Sequence, residues 1–176
     1  MKKKNLFIVF VVTIISSILL VGCGQNTSEV KILQKGDEAP NFTAELNNGK
    51  TFELANNKGK KITILNFWAT WCGPCVEELP AMEKLQKDYG DKIEVMAINS
   101  GDSKDLIGKF LKANKYTLPI AYDENLDISR KYPTDGIPYT LIIDKDGKVY
   151  EVYTGSSGAE AQYMLISEKI EEILNK

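Results

Sequence analysis

Cys72 and Cys75 stand three residues apart in Trp71-Cys72-Gly73-Pro74-Cys75, a spacing that lets two sulfurs close a disulfide within one turn at the start of a helix. The first Cys of such a pair meets unpaired backbone amides and the positive end of the helix dipole, so its thiolate is stabilised. Its pKa then falls below the free value of about 8.5 and part of it is nucleophilic at neutral pH. Cys75 lies one turn deeper and is expected to be more buried, with the role of attacking a mixed disulfide and releasing the partner. Gly73 allows close approach of a substrate backbone, and Pro74 at the helix start loses no hydrogen bond.

Other uses of two Cys fit poorly. The chain has no His and one further Cys, Cys23, so a four-ligand zinc site of N and S donors cannot be assembled within it. Covalent haem attachment needs His after the second Cys, where Val76 stands. A structural disulfide closing so short a loop adds little stability. The absence of His also removes Ser-His and Cys-His catalytic pairs.

The elements that must hold the pair are legible around it. Lys61 to Trp68 is almost continuously apolar and β-branched, as in a central strand buried on both faces. Leu79, Met82, Leu85 and Tyr89 recur at helical spacing from Val76 to Gly90, with Pro80 inside expected to kink the helix. Ile93 to Asn99 reads as a second central strand, which completes a right-handed βαβ unit. A helix is expected over Ser103 to Asn114, a short strand over Leu118 to Tyr122 and a helical turn or two over Leu126 to Tyr132. Hairpins are signalled by Asn47-Asn48-Gly49-Lys50, between Phe42 to Leu46 and Thr51 to Leu54, and by Asp146-Gly147, between Tyr139 to Lys145 and Val149 to Thr154. A closing helix over Ala159 to Asn175 carries an apolar stripe of Ile166, Ile170, Ile173 and Leu174.

The chain's 176 residues allow one ordinary domain, and 43% hydrophobic residues are enough to bury a core. A net charge of -2 supplies no basic field for nucleic acid. Lys2, Lys3 and Lys4 precede an uncharged run from Leu6 to Val21, which reads as a secretory signal and falls short of the roughly 20 apolar residues of a comfortable bilayer span. The run ends in Leu20-Val21-Gly22-Cys23, which resembles the lipobox of bacterial lipoproteins, and the resemblance implies lipidation of Cys23 after cleavage. Residues 1–22 are expected as signal peptide, 23–35 as lipidated Cys and flexible tether, and 36–176 as the folded domain. The alternative is an uncleaved signal anchor.

The segment Asn66 to Cys75 resembles the active site of the thioredoxin superfamily, and the chain from about Gly36 onward is similar to the membrane-anchored thiol-disulfide oxidoreductases of the TlpA/ResA-like family. The subfamily likeness rests on Gly36-Asp37-Glu38-Ala39-Pro40-Asn41-Phe42 and on the room that residues 100 to 138 leave for an inserted αβ segment. The resemblance implies an α/β, thioredoxin-like fold: a central mixed β-sheet flanked by helices, with an N-terminal β-hairpin and that insertion. Gly136-Ile137-Pro138-Tyr139-Thr140 resembles the family's cis-proline loop, which offers the backbone of the residue before Pro138 to an extended substrate. Trp71, Gly73, Pro74, Ile137 and Pro138 are the substrate contacts so implied.

Asn66 stands where plain thioredoxin carries a buried Asp, and an amide cannot relay a proton. In the TlpA/ResA-like family a Glu three residues after the second Cys lies near the pair, which here is Glu78. Sharing a helix face with Cys75, it can accept the Cys75 proton; the alternative is a solvated helix acid like Glu77. The expected activity is reduction of disulfides in client proteins at the extracytoplasmic face of the bacterial membrane, with Cys72, Cys75 and Glu78 catalytic. No cofactor is expected beyond the redox-active Cys pair, and no metal. The expected partners are disulfide-bearing clients, a membrane thiol-disulfide electron donor and the membrane itself through a lipid anchor, with the protein a monomer that binds no nucleic acid. The alternatives are a disulfide oxidase or isomerase, a metal-delivering protein of the same fold, and a lipid-anchored solute-binding module. A peroxidase is disfavoured, because that family's pattern of Pro and Thr ahead of its peroxide-reacting Cys is missing and Ala69 stands three before Cys72.

Overall fold

A computed structural model describes residues 31–176. The charged and apolar leader and Cys23 lie outside the described residues. Strands β1 (Thr43–Glu45) and β2 (Thr51–Glu53) form a separate antiparallel hairpin. They are followed by β3 (Ile62–Trp68), α1 (Gly73–Tyr89), β4 (Ile93–Ser100), α2 (Lys104–Asn114), β5 (Ile120–Asp123), β6 (Tyr139–Ile143), β7 (Val149–Thr154) and α3 (Ala159–Leu174). The main sheet has the order β5-β4-β3-β6-β7. Strand β4 is parallel to both β3 and β5, while β6 runs antiparallel to β3 and to β7. The mixed sheet, the opening hairpin and the β4-α2-β5 segment agree with the expected architecture.

The period-two alternation of strand side chains sorts the core into two layers. Ile62, Ile64 and Trp68 of β3 meet Leu79, Met82 and Leu85 of α1, Ile107 of α2, and Ile166 and Ile170 of α3. Leu65 and Phe67 face the other way, toward Phe42, Ala44 and Phe52 of the hairpin region and toward Tyr132 and Tyr139. All seven β3 residues are buried, which accounts for the unbroken apolar run in the sequence. Each large apolar side chain so withdrawn from water contributes about 1.5–3 kcal/mol. Asn66 and Thr140, paired across β3 and β6, are both buried within this sheet.

Several boundaries differ from the sequence reading for local reasons. Helix α1 starts at Gly73, with Cys72 as its N-cap and Pro74 in its first turn where no amide proton is needed, as the Cys spacing and Pro74 implied; the apolar periodicity sets in only from Val76. It continues through Pro80 and is closed by Gly90, whose φ of 54° favours glycine. Strand β5 starts at Ile120, after Pro119, which has no amide to donate to a ladder. The turn or two expected over Leu126 to Tyr132 reduces to a single 3-10 turn at Ser129–Lys131. Asp123 causes this by accepting hydrogen bonds from the Ile128 and Ser129 amides and the Ser129 hydroxyl, while Leu126 adopts a positive φ of 61° that a right-handed helix excludes. In α3 the buried stripe is Gln162, Ile166 and Ile170, with Ile173 and Leu174 half-buried.

Residues at the end of the expected tether engage the domain. Asp37 accepts from the Gln34 amide and pairs with Lys31, Lys35 lies over the Tyr150 ring, and the Gly36 amide donates to the Val149 carbonyl. Among the described residues no helix is long and apolar enough to cross a membrane.

Candidate active site

Strand β3 ends at Trp68, and the loop Ala69-Thr70-Trp71 carries the chain into α1 with Cys72 as the N-cap residue. Cys72 and Cys75 are joined as a disulfide with a Cα–Cα distance of 5.2 Å. The Cys75 amide donates to Cys72 Sγ at 3.3 Å, so the helix-terminal donor anticipated for a thiolate at this position is aimed at the sulfur. Cys75 is fully buried, as expected. Cys72 is not the exposed residue its place at the helix start implies: only 6% of it is accessible. The sulfur is covered by the Ile137 carbonyl oxygen, 3.8 Å away, which belongs to the loop facing the pair. Exposure at this end falls instead on Trp71, at 72%, and on Gly73 and Pro74.

The Ile137-Pro138 peptide bond is cis, as the resemblance implied. Pro138 is buried, Ile137 half-buried, and the Ile137 carbonyl is the part of this loop that reaches Cys72. A Cβ placed on Gly73 would meet nothing within 4 Å, so the room beside the disulfide is real. Trp71, Gly73 and Pro74 therefore flank the Cys pair along the chain and Ile137 reaches it across the fold, while Pro138 is buried.

Glu78 lies one turn beyond Cys75 and is completely buried, unlike exposed Glu77. Its Oε1 accepts a hydrogen bond from Asn66 Nδ2 at 2.5 Å, and the same nitrogen donates to Thr140 Oγ1 at 3.0 Å. Glu78 Oε2 and Asn66 Oδ1 have no hydrogen-bond partner among the described residues. Burial pushes the Glu78 carboxyl up to about 7, with the Asn66 amide and the nearby Ser156 hydroxyl pulling the other way. Ser156 makes no hydrogen bond to Oε2, and the carboxyl's hydrogen bond is the one from Asn66. A carboxyl with this pKa next in line to a buried Cys can hold or release a proton near neutrality.

Thr140 and Asp102 were not anticipated as site residues. Asp102, after β4, accepts from the Thr70 amide at 2.7 Å and from Asn99 Nδ2 at 2.9 Å, while its own amide donates to Asn99 Oδ1. It clamps the loop that leads into Cys72 to the end of the neighbouring strand. Nothing in the local sequence marks Asp102, whereas Asn66 is marked by being the one amide in an apolar strand.

Residues 34–165 match the Redoxin family. The thiol-disulfide oxidoreductase ResA of Bacillus subtilis is 38% identical over 125 residues, covering 70% of this chain and 69% of that protein. Among solved structures, one from Chlorobium tepidum assigned as the thiol:disulfide interchange protein DsbE aligns with a TM-score of 0.73 and 31% identity, over 81% of this chain and 99% of that one. The exposed lipoprotein thioredoxin Etrx1 of Streptococcus pneumoniae aligns with a TM-score of 0.64 and 28% identity, over 73% of this chain and 99% of that one.

Proposed function

The chain belongs to the redoxin family, among the ResA-like thiol-disulfide oxidoreductases of the thioredoxin superfamily, and from that premise we propose that it reduces disulfides in client proteins through Cys72 and Cys75. The observation that carries this reading is the arrangement at the start of α1. Cys72 Sγ receives an amide hydrogen bond beside the exposed Trp71, Gly73 and Pro74, while Cys75 is fully buried and the buried Glu78 lies one turn further along α1.

In the dithiol form, the Cys72 thiolate attacks one sulfur of a client disulfide. The client S–S bond breaks, and its other sulfur leaves as a thiolate that takes a proton from solvent. The mixed disulfide so formed lies within reach of Cys75. Cys75 gives its proton to the Glu78 carboxylate, its sulfur attacks Cys72 Sγ, the bond from Cys72 to the client breaks, and the second client sulfur leaves as a thiolate that takes a proton from solvent while Glu78 releases its own to solvent. Two electrons pass from the enzyme pair to the client, and the enzyme ends as the Cys72–Cys75 disulfide described above. A dithiol donor in the membrane returns two electrons and two protons. The client backbone is held against Ile137 and Pro138, and its side chains against Trp71, Gly73 and Pro74.

The location belongs to the same proposal. The Leu20-Val21-Gly22-Cys23 boundary supports cleavage before Cys23 and its lipidation, with the domain on the extracytoplasmic face of the membrane. A Cys23→Ala chain should be released from membranes or remain unprocessed; retention as a correctly cleaved protein would overturn the anchor. The activity is tested by incubating the full chain with insulin and dithiothreitol. Accelerated insulin reduction, lost in Cys72→Ser/Cys75→Ser, is expected, and an inactive unsubstituted protein would return the solute-binding alternative.

A further inference from the structure

Glu78 does not stand alone in the interior. Its Oε1 takes the Asn66 amide proton at 2.5 Å, and the second proton of that amide goes to Thr140 Oγ1 at 3.0 Å. All three side chains are at most 1% exposed, and they come from α1, β3 and β6. Asn66 and Thr140 are directly opposite one another in the β3–β6 register, which fixes the spacing of amide and hydroxyl. Thr140 is also two residues past the cis bond at Ile137-Pro138, so one short strand carries both the loop over Cys72 and the acceptor for Asn66.

The arrangement is asymmetric in a way that chemistry can use. A carboxylate has two equivalent oxygens in water, but here Oε1 is occupied by a strong donor and Oε2 has no partner among the described residues. An amide nitrogen donates and never accepts, so the Asn66 contact favours the ionised carboxylate over the protonated acid on that oxygen. The proton that Glu78 takes up therefore goes to Oε2. An Asp at position 66 would offer no such donor when ionised and would repel the carboxylate.

We propose that Asn66 and Thr140 are positioning residues for Glu78: the Thr140 hydroxyl orients the Asn66 amide, and the amide holds Oε1, leaving Oε2 as the oxygen that exchanges the proton. This rests on Glu78 being the proton acceptor for Cys75, and it adds the two residues that set how readily Glu78 ionises. The groups hydrogen-bonded or close to the carboxyl are Asn66, Thr140 through Asn66, and Ser156. Helix α3 packs on α1, and its buried side chains, Gln162, Ile166 and Ile170, carry no charge. Cys75 and Cys72, on or at the start of the same helix, are joined as a disulfide and do not titrate in the oxidised chain. The ionisation of Glu78 is therefore set mainly by burial and by this one amide.

The test is the carboxyl titration of Glu78 in the oxidised full chain, followed by carbon-13 resonance, in the natural sequence, Asn66→Leu and Thr140→Val. Loss of a charge-assisted hydrogen bond should move the Glu78 midpoint upward by about one pH unit in Asn66→Leu. Thr140→Val, which removes only a hydroxyl acceptor, should move it upward by less. Unchanged midpoints in both variants would overturn the assignment, even if their stability fell, because a structural role alone predicts lost stability without a shifted titration. Should Asn66→Leu fail to fold, Thr140→Val decides: an upward shift supports the proposal and an unmoved midpoint overturns it. The parent reading is tested separately by the pH–rate profile of Glu78→Gln. A profile identical to the natural protein's would remove Glu78 from the proton transfer, whereas the titration midpoints would still report what Asn66 and Thr140 do to its carboxyl.

Discussion

The Thr70 amide donates to Asp102 Oδ2 across 2.7 Å, joining the loop that delivers Cys72 to a buried residue two positions past the end of β4. Asn99 completes the clamp with its own amide nitrogen on the same carboxylate. Asp102→Ala leaves the Thr70 and Asn99 donors without this acceptor, and a lost acceptor for a buried donor costs about 1–3 kcal/mol. Urea unfolding should report destabilisation in that range, and amide exchange at Thr70 should quicken. A stability equal to that of the natural protein would mean that the clamp is idle.

The order of attack follows from depth. Cys72 Sγ holds the helix-terminal hydrogen bond and Cys75 is sealed below it. Cys75→Ser should accumulate covalent adducts with client proteins that disappear with dithiothreitol. Cys72→Ser should trap almost nothing, and the double substitution nothing at all. Adducts recovered mainly from Cys72→Ser would reverse the roles of nucleophile and resolver.

The Glu78 carboxyl also makes a stability prediction. Its folded pKa is raised to about 7 by burial, against 4.5 for a carboxyl in water. Between these two values the folded protein holds a proton that the unfolded chain has released, so stability falls as pH rises through this window and levels off above it. The full effect is on the order of 3 kcal/mol. Glu78→Gln cannot ionise and should flatten that part of the curve while slowing disulfide exchange. Denaturant midpoints compared across the window decide it: parallel curves for the two proteins would contradict the burial argument.

The Gly73-Pro74 pair between the two Cys matches the dipeptide of thioredoxin, whose potential is about −270 mV, and differs from strong oxidants near −120 mV. Equilibration of Cys72–Cys75 with glutathione buffers should therefore place the couple toward the reducing end. A value close to that of the oxidants would reassign the protein to disulfide formation.

Much of the molecule was legible along the chain because it is written in local patterns. The buried strand β3, the hairpin turns, the periodicity of α1 and the Cys spacing all concern residues within one element or its ends, where period, branching and Gly or Pro chemistry act directly. The cis bond before Pro138 came from family likeness, since a proline alone does not specify it.

What the chain could not disclose by itself is where polar groups from distant segments meet. From sequence, Glu78 keeps the alternative of a solvated helix acid until β3 and β6 close over it, and Asn66, Thr140 and Asp102 acquire their roles from partners 12, 74 and 32 residues away. The covering of Cys72 by Ile137, 65 residues on, is of the same kind. Residue type and spacing therefore determined the chemistry available, a dithiol at a helix start with an acid one turn beyond. Tertiary packing alone decided the proton affinity of that acid and the accessibility of that thiol, because both depend on which atoms exclude water and which donors remain within reach.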